Sequence, residues 1–89
     1  MRAILKYHIS YSAEINIIEM PSGSKVISAG LDPQEDLCIW AIVNPENELE
    51  SRKFTIVGTG WPMGHELDNW KFINTVKQGS YMWHVWEVL

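Results

Sequence analysis

The stretch Tyr81-Met82-Trp83-His84-Val85-Trp86-Glu87-Val88-Leu89 decides the fold. Successive side chains of an extended segment point to opposite faces, so Tyr81, Trp83, Val85 and Leu89 share one side and Met82, His84, Trp86 and Val88 the other. Neither side is polar enough to face water. One face therefore needs a second sheet, and the other needs either more of the same chain or a neighbouring subunit. Immediately upstream, Trp70 to Lys77 reads as a partner strand, joined to the last one across Gln78-Gly79-Ser80 as a hairpin.

The rest of the chain keeps the same period of two. Arg2 to Ile9 alternates, with Ala3, Leu5, Tyr7 and Ile9 on one side and Arg2, Ile4, Lys6 and His8 on the other. A strand from Glu14 to Met20 is expected to end at Met20-Pro21-Ser22-Gly23, with Pro second and Gly fourth in a type I turn. Lys25 to Leu31 resumes extended structure, and Asp32-Pro33-Gln34-Glu35-Asp36 is a polar connection. Leu37-Cys38-Ile39-Trp40-Ala41-Ile42-Val43 is apolar on both faces and reads as a central strand with Trp40 in the core. Asn44-Pro45-Glu46-Asn47 closes it as a turn. Arg52 to Gly58 is the next strand, Phe54 and Ile56 opposite Lys53, Thr55 and Val57. About seven short strands, with no long helical pattern and no internal repeat, predict an all-β domain: a small antiparallel sandwich or barrel over residues 1–89.

Composition bounds what such a domain does. The chain has 89 residues, which points to one domain with one modest core. An apolar fraction of 46% against 20% charged is ordinary for a folded protein and excludes the disordered class. Net charge is −4 with seven Lys and Arg, which disfavours binding along a duplex backbone, where affinity comes from neutralising many phosphates. The single cysteine, Cys38, rules out an internal disulfide; in its apolar run it reads as a small hydrophobe, and a reducing cytoplasm is the expected compartment. Nothing near the N-terminus has the uninterrupted apolar stretch of a signal peptide, and no stretch is long enough to cross a membrane as a helix.

Four of the five tryptophans fall in the C-terminal third, within Gly58-Thr59-Gly60-Trp61-Pro62-Met63-Gly64-His65 and the aromatic strands after it. Each aromatic side chain needs roughly 150 to 250 Å² of cover, more than a small core supplies to all of them. The glycines permit unusual backbone angles, and Trp61 offers a flat face for stacking on a base or entering a partner's pocket. The competing reading folds Trp61 back to cap the end of the sandwich. His65 to Asn69 has room for a single helical turn.

Catalytic patterns fail on inspection. His65-Glu66-Leu67-Asp68-Asn69 begins like a zinc-hydrolase motif, but the second His, required four residues on, is Asn69. His8 and His84 could join His65 only through the fold, and no stoichiometric zinc is expected. Gly58-Thr59-Gly60 opens like a dinucleotide fingerprint, yet Pro62 interrupts it and no βαβ unit surrounds it. Ser22 and Ser24 lack a nucleophile-elbow context. Glu46, Glu48 and Glu50 read as a solvated loop face. The expectation is a protein that is not an enzyme and has no cofactor, with a small metal-dependent hydrolase as the remote alternative.

Pro21-Ser22-Gly23-Ser24-Lys25-Val26-Ile27-Ser28, Cys38-Ile39-Trp40-Ala41-Ile42-Val43-Asn44-Pro45, Phe54-Thr55-Ile56-Val57-Gly58-Thr59-Gly60 and His84-Val85-Trp86-Glu87 together resemble a family of short phage and prophage proteins with no established activity. The resemblance covers most of the chain and implies an accessory protein acting inside an infected bacterium, by binding a host protein or a signalling nucleotide. Two expectations follow. In one, a small nucleotide-like ligand is sequestered as a counter-defence measure by Trp61, His65, Gly60 and Gly64, with Arg52, Lys53 and Trp86 contributing and the pocket completed by a second subunit. In the other, an acidic, Trp-rich surface blocks a host protein. A homo-oligomer, most simply a dimer joined through the last strand, is expected from its second apolar face.

Overall fold

The alternating segments form seven strands in the computed structural model, which describes residues 1–12, 14–63 and 69–89. These are β1 (Ala3–His8), β2 (Asn16–Pro21), β3 (Lys25–Leu31), β4 (Leu37–Val43), β5 (Leu49–Gly58), β6 (Trp70–Gln78) and β7 (Tyr81–Val88). All pairs are antiparallel, in a three-stranded sheet ordered β1-β4-β3 and a four-stranded sheet ordered β2-β5-β7-β6. The described residues contain no α-helix. The anticipated turn over His65 to Asn69 lies almost wholly outside them.

The two sheets pack as a sandwich and are not closed into a barrel, since among the described residues no ladder joins them. Where the edges β3 and β6 meet, a side chain substitutes for a ladder: Asn74 Oδ1 accepts from Ala29 N at 2.6 Å, and Asn74 Nδ2 donates to Ala29 O at 2.9 Å. Both edges are bulged at this height, between Val26 and Ser28 and between Phe72 and Asn74. A bulge re-aims side chains and twists an edge away from further pairing. These edges are accordingly engaged with each other.

Between the sheets lies one apolar cluster, including Ile39 and Leu37 from β4, Phe54 and Ile56 from β5, Trp83 and Val85 from β7, Val76 and Met20. Complete burial of a side chain such as Phe54 or Ile56 contributes roughly 1.5 to 3 kcal/mol each. Trp40 departs from expectation: it alternates onto the outer face of β4, half-buried, and lies over Gly30 on the neighbouring strand. Thr55 and Val57 are also buried although they alternate outward, beside Trp86 and His84 across the ladder.

Three local expectations shift. β5 begins at Leu49, so Glu50 belongs to a strand, with Oε1 accepting from Gly23 N. β2 runs through Pro21, an edge position that tolerates a missing N–H. The turn that follows is displaced by one residue: Ser24 N donates to Pro21 O, and Gly23 takes the third place with φ 78°, the geometry of a type II turn. By contrast, Asn47 N donates to Asn44 O as the sequence implies, and Gly79, at φ 59°, leads the two-residue β6–β7 hairpin. Because β7 lies between β5 and β6, self-association through it would use its face, since it has no open edge.

Candidate functional site

At the Gly58 end of the sandwich, four rings gather. Trp83 is the hub: Tyr81 stacks on it with centroids 5.4 Å apart and planes 11° apart, Trp61 meets it edge-on at 5.5 Å, and Tyr11 approaches at 5.8 Å. The hub is 7% exposed, whereas Tyr81, Tyr11 and Trp61 are 62%, 46% and 40% exposed. The flanking rings therefore present their surfaces to solvent around a fixed centre.

Local sequence explains the fixing. Trp61 N donates to Gly58 O, closing a turn in which Gly60 stands at φ 88°, a value glycine accepts without strain. Trp83 Nε1 donates to Gln78 Oε1 at 2.9 Å, while Gln78 Nε2 donates to Tyr11 Oη at 2.6 Å and to Glu35 O. Tyr11 Oη also accepts from Leu37 N. One glutamine thus ties two rings to the hairpin after β3. A shallow groove beside Tyr81 is lined by Leu31, Glu35, Gln78 and Ser80.

The described residues among those singled out from sequence lie in separate places. Trp61 and Gly60 belong to the aromatic end. Arg52 sits six residues away along β5, roughly 20 Å at about 3.3 Å per residue. There its Nε and Nη2 grip Glu87 at 2.5 and 2.9 Å, and Nη1 donates to Ser24 O. The Glu87 carboxylate holds the Arg52 guanidinium above its ordinary pKa. Lys25 and Lys71 line the same groove, making this the basic end. Lys53 alternates onto the outer face of β5, away from Arg52. Gly64 and His65 lie outside the described residues.

Trp86 is on the outer face of the four-stranded sheet, between Phe72 at 5.0 Å and Trp70 at 6.1 Å. Its Nε1 is buried with no acceptor among the described residues. Phe72 and Met82 on this face are 48% and 40% exposed. Lys53 and Lys77 share the face through their registers with Val88 and Met82, as does Glu19 through its register with Ser51.

Sequence reasoning missed a polar cluster on the outer face of the three-stranded sheet. Asp32, read as part of a polar connection, has a side chain only 1% exposed. Its Oδ1 accepts from Gln34 N and Asp36 N, and its Oδ2 from Lys6 Nζ at 2.8 Å, with His8 Nε2 at 3.3 Å. The Lys6 hydrogen bond, then the Asp36 amide, holds the Asp32 carboxyl well below the usual range. Lys6 is raised in return. Cys38 Sγ lies alongside, and burial pushes its thiol up to about 11, with Asp32 acting in the same direction. The available signal was the alternation placing Lys6 and His8 together; what could not be read was that β1 pairs with β4.

Histidine geometry separates His8 from His84. His84 lies on the opposite outer face, its Nε2 2.8 Å from Thr59 Oγ1 and its Nδ1 2.9 Å from Thr75 Oγ1. A site combining these two histidines is therefore not formed.

The family described as "Domain of unknown function (DUF7352)" matches residues 1–89, and the chain belongs to it. No curated protein and no solved structure matches.

Proposed function

We propose that this DUF7352 member is a non-catalytic binding module that takes the flat ring of a small nucleobase-bearing ligand at its aromatic end. The observation that supports this most is the trio of exposed rings, Trp61, Tyr81 and Tyr11, set around buried Trp83. Base–aromatic stacking contributes about 1 to 3 kcal/mol per base and tolerates different bases. Rings already fixed by Gln78 and by the Gly58 turn lose little freedom on binding. The polar side chain at the centre, Gln78, is engaged in positioning Trp83 and Tyr11, which favours holding a ligand over transforming one.

Separation of the two ends refines the expectation. Arg52 stands too far from Trp61 to hold the phosphate of the same mononucleotide and is already committed to Glu87. Recognition thus runs through the base, and charged parts of the ligand extend into solvent. Sequestration of a signalling nucleotide in the cytoplasm of an infected bacterium is the setting that the phage-protein resemblance suggests for such a module.

A second reading is a protein-docking role for the face carrying Trp86, Phe72 and Met82, favoured by the exposure of the apolar Phe72 and Met82 side chains beside Trp86. The partner would be a host protein or a second copy of the chain. Fluorescence titration with adenosine, guanosine and cyclic dinucleotides separates the readings. Saturable binding abolished by Trp61→Ala and retained by Phe72→Ala supports the base-binding module. Absence of binding to all these probes, with a concentration-dependent mass that Phe72→Ala removes, supports the docking face.

A further inference from the structure

We propose that His8, Asp32 and Cys38 form a binding site for a divalent transition metal of the zinc class. Their donor atoms all lie within 4.8 Å of one another. Tetrahedral zinc with bonds of about 2.0 to 2.3 Å places its donors roughly 3.5 Å apart, so closure requires movements of about an ångström. His8 and Cys38 are direct cross-strand partners, and Gly30 pairs with Cys38 from the other side. The sheet register, and not a linear motif, assembles the site. This donor set differs from the three-histidine arrangement weighed from the sequence.

The ligand chemistry selects the metal. One thiolate, one imidazole and one carboxylate suit zinc or cobalt, whereas calcium and magnesium require several oxygens. Asp32 is positioned as a ligating carboxylate should be: two backbone amides hold Oδ1, which turns Oδ2 toward His8. Cys38 and Asp32 are buried, while the His8 side chain is 62% exposed, leaving an entry side and a fourth position for water or another small ligand.

Lys6 occupies the cation position at Oδ2. On metal entry the Lys6 ammonium moves to solvent, and the Cys38 thiol proton is released to solvent as the sulfur–metal bond forms. Two positive charges of the metal replace one ammonium and one proton, so the local charge is conserved. A cluster that served only to anchor the turn would need Lys6; a metal site competes with it.

Cobalt(II) titration of the intact protein tests the proposal, because the chain has one cysteine and any thiolate-to-cobalt absorption reports Cys38. The expected result is one cobalt per chain at micromolar concentration, with the thiolate band present, zinc displacing it, and Lys6→Met binding more tightly than wild type. His8→Gln, which removes a direct ligand, should weaken binding by more than the roughly 10 to 100-fold that loss of an outer-shell partner costs. Absence of a saturable thiolate band in both the wild type and Lys6→Met would overturn the site. So would a band whose intensity and affinity are unchanged by His8→Gln.

Discussion

The indole of Trp61 lies against the α-carbon of Gly58: a methyl group built there would stand 2.8 Å from Trp61 Cε2 and 2.9 Å from Nε1. Gly58 is buried and does not use a left-handed backbone angle. Its need for glycine is therefore set by the ring above it.

Gly58→Ala should consequently displace Trp61 from its edge contact with Trp83 without deleting either ring. The expected result is a loss of near-ultraviolet circular dichroism, together with at least a tenfold fall in base affinity. The strand should remain, because the substituted backbone is ordinary. Trp61→Ala, at a position 40% exposed, should cost about 1 kcal/mol in chemical denaturation. Unchanged dichroism and affinity in Gly58→Ala would show that the contact does not position the ring.

Tryptophan location gives a contrasting pair. Trp83→Ala removes the buried hub and should cost about 3 to 5 kcal/mol. Trp40→Ala, on an outer face over Gly30, should cost less than half as much. Urea midpoints measured side by side check the order, and equal losses would return Trp40 to the core.

Both results bear on what was legible in the chain. Period-two alternation gave seven strands with nearly correct bounds, since it is a local consequence of burial on one side of an extended backbone. It also gave Trp83 and Trp86 their opposite faces. It could not distinguish a sandwich core from a partly covered outer surface, because Leu37–Val43 is apolar on both sides; Trp40 was misplaced for that reason. Arg52 and Trp61 looked close in sequence, but Arg52 lies in the first half of β5 and Trp61 in the turn beyond its other end. Lys6, His8, Asp32 and Cys38 became neighbours only through a non-consecutive strand pairing.

The ion pair at the basic end should be structural. Arg52 and Glu87 side chains are 18% and 8% exposed; removal of Arg52 leaves Glu87 buried without this partner, whereas removal of Glu87 leaves Arg52 with Glu50 Oε1 at 3.7 Å. Arg52→Met should cost about 3 kcal/mol and Glu87→Gln less, with the double variant losing less than the sum. Additive losses in a double-mutant denaturation cycle would mean that the two groups do not act together.

Asp32 predicts a pH dependence in metal-free buffer. Its folded-state pKa is depressed by Lys6 and the Asp36 amide, so its stabilisation is present above the ordinary carboxyl pKa of about 4 and is lost as pH falls toward the depressed value. The groups facing it are Lys6, His8 and Cys38. Asp32→Asn should melt below wild type at neutral pH, and the two curves should converge in acid. A constant gap across that range would contradict the depressed carboxyl.

The most direct test of the binding account is a titration with guanosine and a cyclic dinucleotide, following the five indole N–H resonances by nitrogen-15 NMR. The account predicts saturable shifts at Trp61 and Trp83, with Trp40, Trp70 and Trp86 nearly unmoved. Shifts centred on Trp86 and Trp70, with Trp61 unchanged, would contradict it and move the ligand site to the outer face of the four-stranded sheet.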